Sequence, residues 1–234
     1  MKNAAPAESR HDWDIWWREA PEPDIDHLTL RVFAEMNAAV SFRGRSVLEL
    51  GCGTGRLSYL ALRNGAERAV LMDSSPRAVA IAESLFRGVS NVEIRRADFT
   101  TLRPEKRFDI VFSSGVVEHF PDGEIEAIVD LHGRWSRGSV VIVVPAGPHY
   151  NNVRMKRAAA RRRFGWQRPL TRARMKKLFA GAGIAVSVNR RFYTFYAVPR
   201  LHRCRLLDRW AKPIEGLAGG LLVTAGTAQP DRTS

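Results

Sequence analysis

The chain has 234 residues, 45% hydrophobic and 26% charged, which allows a sizeable buried core and excludes a disordered, charge-dominated chain. Two cysteines, with no CxxC and no Cys/His cluster, exclude a disulfide scaffold and a structural zinc site. The formal net charge of +13 is uneven: Leu131 to Leu207 holds 18 Lys and Arg and no acidic residue, so the remainder is mildly acidic.

In chain order, the N-terminal segment is polar, with Glu8, Asp12 and Asp14 close behind Met1, unlike a secretory signal. No apolar run reaches the roughly 20 residues of a membrane helix, and a reduced, cytoplasmic setting is the expectation. Trp13, Trp16 and Trp17 stand at helical spacing. They predict either an apolar face packed on the domain or a lid over a site. Ser46 to Leu50 is a short apolar run closed by glycines and reads as a buried strand. Leu57 to Leu62 carries helical spacing. Arg68 to Asp73 is a second strand. Pro76 fits a first helical turn, with Ser74 or Ser75 as N-cap candidates. Asn91 to Arg95 and Phe108 to Ser113 are the third and fourth strands. Asp122 to Trp135 is a helix, and the β-branched run Ser139 to Val144 reads as a fifth strand at the centre of a parallel sheet. Asn151 to Gln167 is basic and lacks an apolar stripe. Thr171 to Ala180 is a helix, Ile184 to Val188 a sixth strand and Leu221 to Ala225 a last one. Strands alternating with helices predict a doubly wound α/β sheet, whose ligands bind at the carboxyl ends of the strands.

The sharpest signal is Glu49-Leu-Gly51-Cys-Gly53-Thr-Gly55, between the first strand and its helix. Glycines there allow a tight turn and let a ligand touch the backbone, and the helix start supplies unpaired N–H groups. The dinucleotide fingerprint G-x-G-x-x-G would need glycine where Arg56 stands, so a pyrophosphate-binding dehydrogenase fits poorly. The acidic residue followed by G-x-G-x-G resembles instead the class I S-adenosylmethionine-dependent methyltransferases. Three further segments carry the resemblance: Asp73, 22 residues after Gly51; Ala97-Asp98-Phe99; and Phe108-Asp-Ile-Val-Phe-Ser-Ser-Gly-Val-Val-Glu-His-Phe120. The last of these, with Pro169 to Ile184, is similar to methyltransferases of ubiquinone and menaquinone biosynthesis. The likeness covers about Arg45 to Val188 and the last strand.

That resemblance implies a Rossmann-like, seven-stranded sheet, mostly parallel with an antiparallel last strand, flanked by N-terminal helices and a basic insertion after the fifth strand. It implies a single domain, with residues 1–44 as a helical lid, 45–146 as the cofactor-binding core, and 147–168 and 192–215 as acceptor-side insertions. The cofactor implied is S-adenosylmethionine. Its contacts would come from Glu49, Gly51, Cys52, Gly53, Gly55, Asp73, Ser74, Asp98, Phe99 and Ser113. Asp73 would take the ribose hydroxyls, Asp98 the adenine amino group, and Phe99 the ring. Each also has a plain alternative, as a turn former, a helix cap or, for Cys52, a small residue in the turn.

Methyl transfer to a hydroxyl needs a base, and His119, following the fourth strand, suits that task because imidazole titrates near neutrality. Packing beside the cofactor is its other reading. His149 is a second candidate; His11 and His27 could reach the site from a lid, and His132 and His202 read as structural or exposed. Ser113-Ser114-Gly115 stands where catechol-type enzymes hold an acidic magnesium ligand, so no catalytic metal is expected. Phe192 to Tyr196 would line an acceptor pocket or join the core. The basic window suits an anionic partner. Three acceptors compete: a small metabolite, phosphorylated, carboxylated or carrier-bound, methylated on oxygen or nitrogen; RNA or protein; or a lipid or quinone at an anionic membrane surface.

Overall fold

A computed structural model describes residues 13, 14, 17, 25–104, 107–146, 165, 167, 168, 170–193 and 220–229. Seven strands form one sheet: β1 (Ser46–Leu50), β2 (Arg68–Asp73), β3 (Val92–Arg96), β4 (Phe108–Ser114), β5 (Ser136–Pro145), β6 (Ile184–Phe192) and β7 (Leu221–Ala228). Their order is β3-β2-β1-β4-β5-β7-β6. The first five pair in parallel, and β7 runs antiparallel to both β5 and β6. This is the expected mostly parallel sheet with an antiparallel last strand.

The described helices are α1 (His27–Ala39), α2 (Arg56–Arg63), α3 (Pro76–Leu85), α4 (Asp122–Trp135) and α5 (Arg172–Gly181). Each start has a local cause. Asp26 caps α1 by accepting from Thr29 N at 2.8 Å. Ser75 caps α3 through Ala78 N, with Pro76 in the first turn, and Thr171 caps α5 through Arg174 N. Alternate residues of the central strands serve opposite faces. Val140, Ile142 and Val144 join one apolar cluster with Ile125, Val129, Met175 and Phe179 from α4 and α5. Val141 and Val143 join the other, with Val32, Phe33, Met36 and Ala61 from α1 and α2. The sheet is therefore covered on both sides, which is why its central strands read as unbroken apolar runs.

Three strand boundaries differ from the sequence reading by three residues or more. β5 begins at Ser136, three residues early, because Gly138 lies against the backbone of β4: a Cβ there would stand 2.6 Å from the Asp109 carbonyl oxygen. β6 continues past Val188 to Phe192 and pairs with β7 throughout. Asn189, Arg190 and Arg191 break its apolar pattern, yet an edge strand tolerates polar side chains. β7 likewise extends to Ala228. At the amino ends of the strands, Asp109 ties three of them together. It accepts from Ser46 N and Oγ and pairs with Arg137, contacts that hold its carboxyl well below the usual range.

Gly55, the N-cap of α2, adopts φ +74°, and a Cβ there would lie 2.7 Å from Leu71 Cδ2 and 2.8 Å from Phe86 Cε2, both side chains buried. Gly55→Ala combines a left-handed backbone with overpacking. It is expected to destabilise the fold by about 2–4 kcal/mol, read from the shift in denaturant midpoint at unchanged slope. A loss under about 0.5 kcal/mol would show that the loop relaxes around the methyl group.

Candidate active site

The sheet order reverses direction between β1 and β4, and the loops leaving their carboxyl ends diverge there. Such switch points leave a crevice for a ligand. The loop after β1 is fixed by main-chain bonds: Cys52 N donates to Met72 O at 2.9 Å, and Gly55 N to Cys52 O at 2.9 Å. Gly53 N donates to Asp73 Oδ2 at 2.8 Å, and Ser75 N donates to Asp73 Oδ1 at 2.9 Å. Asp73 thus holds the glycine loop and the start of α3 in one register. Burial pushes its carboxyl up against the pull of these N–H donors.

Glu49, the acidic residue before the glycines, is 3% exposed and turned inward. It accepts from Ser58 Oγ at 2.6 Å and Ser58 N at 3.2 Å, across to α2. Burial pushes its carboxyl up to about 8, so it is protonated at neutral pH. The Cys52 thiol is also pushed up by burial, which keeps it an unreactive small residue. Asp98 caps the 3₁₀ turn Phe99–Thr101, with Oδ1 accepting from Thr100 N at 3.0 Å and Thr100 Oγ1 at 2.6 Å. Phe99 is buried in the core and meets Phe120 edge-on at 6.1 Å. Ser74 is exposed beside Asp73.

Ser113 and His132 form a buried pair. His132 Nδ1 lies 2.7 Å from the Ile128 carbonyl oxygen, so Nδ1 carries the proton, and Nε2 accepts from Ser113 Oγ at 2.9 Å. Burial lowers the imidazole to about 4. His132 is therefore a neutral core residue, and the Ser113 hydroxyl is engaged inside the fold.

His119 lies in the 3₁₀ turn Val117–His119 beyond β4. Gln167 Nε2 lies 3.2 Å from His119 Nε2, within hydrogen-bond reach. Arg168 N donates to Glu118 O at 2.7 Å and Arg168 Nε to Phe120 O at 2.9 Å, so residues 167 and 168 are stitched onto this turn. The helical i,i+1 rule leads one to expect Glu118 and His119 to face apart. In the tighter 3₁₀ turn Glu118 Oε1 comes to 3.8 Å from His119 Nε2. Glu118 is fully buried, and among the described residues neither carboxyl oxygen has a hydrogen-bond partner. Burial pushes it up to about 8.

The N-terminal tryptophans reach the same place. Trp13 meets the His119 ring edge-on, centroids 4.5 Å apart. Trp17 lies on the glycine loop: a Cβ at Gly53, where φ is +53°, would meet its ring at 2.6 and 2.8 Å. Between them Asp14 Oδ1 accepts from Ser75 Oγ at 2.8 Å and Arg77 N at 3.1 Å. Sequence reasoning found the tryptophans by their spacing but missed Asp14, Gln167 and Ser58, none of which belongs to a motif. His11, His149, Trp16, most of the basic insertion and Thr194 to Tyr196 lie outside the described residues. Phe192 and Tyr193 join the core, Tyr193 ringed by His27 at 5.9 Å. Among the described residues, no group of three or more His, Cys, Asp or Glu could hold a metal ion, and no helix is long and apolar enough to cross a membrane.

Residues 47–137 match the family model described as a methyltransferase domain. A computed likeness in fold extends further: the magnesium protoporphyrin IX methyltransferase of Synechocystis, solved with bound S-adenosylmethionine, superposes with a TM-score of 0.63 at 14% identity, covering 94% of this chain and 93% of that one. Residues 47–137 are thus similar to a methyltransferase domain, and the chain shares the fold of a methyltransferase solved with S-adenosylmethionine.

The core is similar to a ubiquinone biosynthesis O-methyltransferase of Azotobacter vinelandii, 37% identical over 118 residues, 48% of each chain. It is also similar to a ribosomal protein L11 methyltransferase of Thermosipho africanus, 35% identical over 118 residues, 50% of this chain and 44% of the relative. The chain spans about half the length of these curated relatives.

S-adenosylmethionine is bound by the Synechocystis neighbour, and the residues present here fit it. α2 starts at Gly55 with no side-chain cap from that residue, and Glu49 accepts from Ser58 N in its first turn; a helix start of this kind favours an anionic group such as a carboxylate. At the end of β2, Asp73 presents a carboxylate already aligned by two backbone donors.

Proposed function

We propose that this chain transfers the methyl group of S-adenosylmethionine to an oxygen or nitrogen of a small acceptor, an anionic one drawn by the basic region between Leu131 and Leu207. The observation that carries this reading is the convergence of the glycine loop, Asp73 and His119 on the carboxyl ends of β1, β2 and β4, which are neighbours in the sheet. Residues 1–44 act as the lid, 45–146 as the cofactor core, and 147–168 and 192–215 as acceptor-side segments.

In this reading Asp73 binds the ribose hydroxyls, and Asp98 and Phe99 border the adenine. The N–H groups of the 51–55 loop and of α2 hold the amino-acid end, beside Glu49 and Cys52. Ser74 and the Ser113 main chain complete the rim. The cofactor supplies a methyl group activated by its sulfonium. The neutral His119 imidazole, with Nε2 as its acceptor nitrogen, takes the proton of the acceptor O–H or N–H. The acceptor atom then bonds to the methyl carbon as the carbon–sulfur bond breaks, its electron pair passing to sulfur. Gln167 must release Nε2 for the proton to enter, and Glu118 is then the carboxyl nearest the imidazolium. Trp13 shields the ring from water, which favours a step that disperses charge.

Methyl-labelled S-adenosylmethionine, incubated with a bacterial extract split into small molecules, RNA and protein, tests the acceptor class. Label entering the small-molecule fraction is expected. Label confined to RNA or protein would replace this reading. The similarity to a ribosomal protein L11 methyltransferase favours protein as the second reading. A lipid or quinone acceptor at an anionic membrane would show as label in the organic phase that requires acidic vesicles. With the acceptor fraction in hand, His119→Ala is expected to lower turnover by about 10²–10⁴-fold, the range of a lost general base, with cofactor affinity changed less than about threefold. Turnover surviving at every pH would assign His119 to packing.

A further inference from the structure

We infer that Trp17 is the residue that reads the positive charge of the cofactor, giving this site its preference for the sulfonium over the neutral thioether left after transfer. The inference rests on the S-adenosylmethionine reading above and concerns how that site tells substrate from product.

The glycine loop is the surface a ligand must touch, and at Gly53 the group lying over it is the Trp17 indole. It comes from the N-terminal segment and not from the sheet. Only a residue without a Cβ lets the indole approach so closely. Trp13, one helical turn earlier, stands edge-on to His119. One indole thus lies on the glycine loop and the other against the candidate base, the two groups between which the proposed reading places the methyl. Asp14 is tied to Ser75 Oγ and Arg77 N at the start of α3.

The substrate and product forms of the cofactor differ by one methyl group and one positive charge, so discrimination requires a partner for that charge. The carboxyls bordering the loop serve it poorly. Glu49 is turned onto Ser58 and protonated at neutral pH, and Asp73 is engaged by Gly53 N and Ser75 N. An indole face attracts a cation through its quadrupole and is the best of the aromatic side chains at doing so. It offers a neutral thioether only ordinary contact. Trp17 is the indole on the loop.

Isothermal calorimetry of the full chain with S-adenosylmethionine and with S-adenosylhomocysteine tests this without any acceptor. Trp17→Leu is expected to weaken S-adenosylmethionine about 3- to 30-fold and S-adenosylhomocysteine less than about twofold. Trp17→Phe is expected to fall between, and its milder volume change keeps the test sound if the leucine variant folds poorly. Equal weakening of both ligands, or no weakening of either, would reduce Trp17 to packing and overturn the inference. If the unaltered chain bound neither ligand, the cofactor reading itself would fail and the inference with it, a result distinct from equal weakening in the variant.

Discussion

Asp73→Ala is expected to weaken S-adenosylmethionine binding by at least about tenfold, since hydrogen bonds to a charged group contribute roughly 1.5–3 kcal/mol each and 1.4 kcal/mol is one decade. The loss should not stop at the ligand. Asp73 accepts from Gly53 N and Ser75 N, and both donors are buried. Removing the carboxylate leaves them without that acceptor, at about 1–3 kcal/mol each. The variant should therefore bind weakly and also melt earlier. Asp73→Asn separates the two effects. Its amide oxygen can keep one backbone donor, so stability should recover in part, while the amide serves the ribose hydroxyls less well than a carboxylate. Calorimetry showing near-normal affinity in Asp73→Ala would leave this residue as a turn former alone.

The second large effect is a fall in stability with rising pH across neutrality. Glu49 and Glu118 are pushed up to about 8 by burial, while unfolded glutamates titrate near ~4.3. Between those values the folded chain holds protons that the unfolded chain has released. Both carboxyls therefore stabilise most at low pH, and that stability drains as pH climbs towards 8. His132, lowered to about 4 against ~6.5 when unfolded, acts in the opposite sense. It favours the fold as pH rises from about 4 to about 6.5 and then has no further effect. The net slope is thus shallow below about pH 6.5 and steep above it, on the order of 2–3 kcal/mol per pH unit up to about 8. Denaturant titrations at pH 6, 7 and 8 read this directly. Glu118→Gln should roughly halve the upper slope, because the amide has no proton to lose. A flat profile from pH 6.5 to 8 would mean that these two carboxyls do not stay protonated in the folded chain.

The pH response also bears on the chemistry proposed at His119. Glu118 lies 3.8 Å from His119 Nε2. Because its carboxyl oxygens are fully buried, it can reach an acceptor only through that imidazole. A proton arriving on His119 would favour ionisation of Glu118, since opposite charges at that distance attract.

All seven strands were legible in the sequence, because apolar runs of strand length closed by glycine or an acidic residue leave few other readings. Two helix starts were legible for a similar reason, since Ser75 with Pro76, and Thr171, carry their own capping chemistry, whereas the start of α1 at His27 was not read. The glycine loop, Asp73 and Asp98 stood out by spacing alone, since a tight turn after a strand and an acidic residue after the next are local demands on the chain. Glu118 did not stand out. An adjacent pair on a regular helix points apart, and only the 3₁₀ turn brings its carboxyl near the imidazole.

By itself, then, the sequence determined the order of strands and helices, the loop that turns at Gly51 to Gly55, and the acidic residues at the strand ends, because each follows from backbone preference and burial over a few neighbouring residues. Tertiary structure alone decided that Trp17 lies on Gly53, that Asp14 joins the start of α3, that Gln167 bonds His119 and that Ser113 is spent on His132. The partners in each of these contacts are separated by 19 to 61 residues or, for Trp17 and Gly53, by a comparable stretch of chain. No local propensity encodes such a meeting; it exists only once the sheet has closed and the chain returns across the carboxyl ends of its strands.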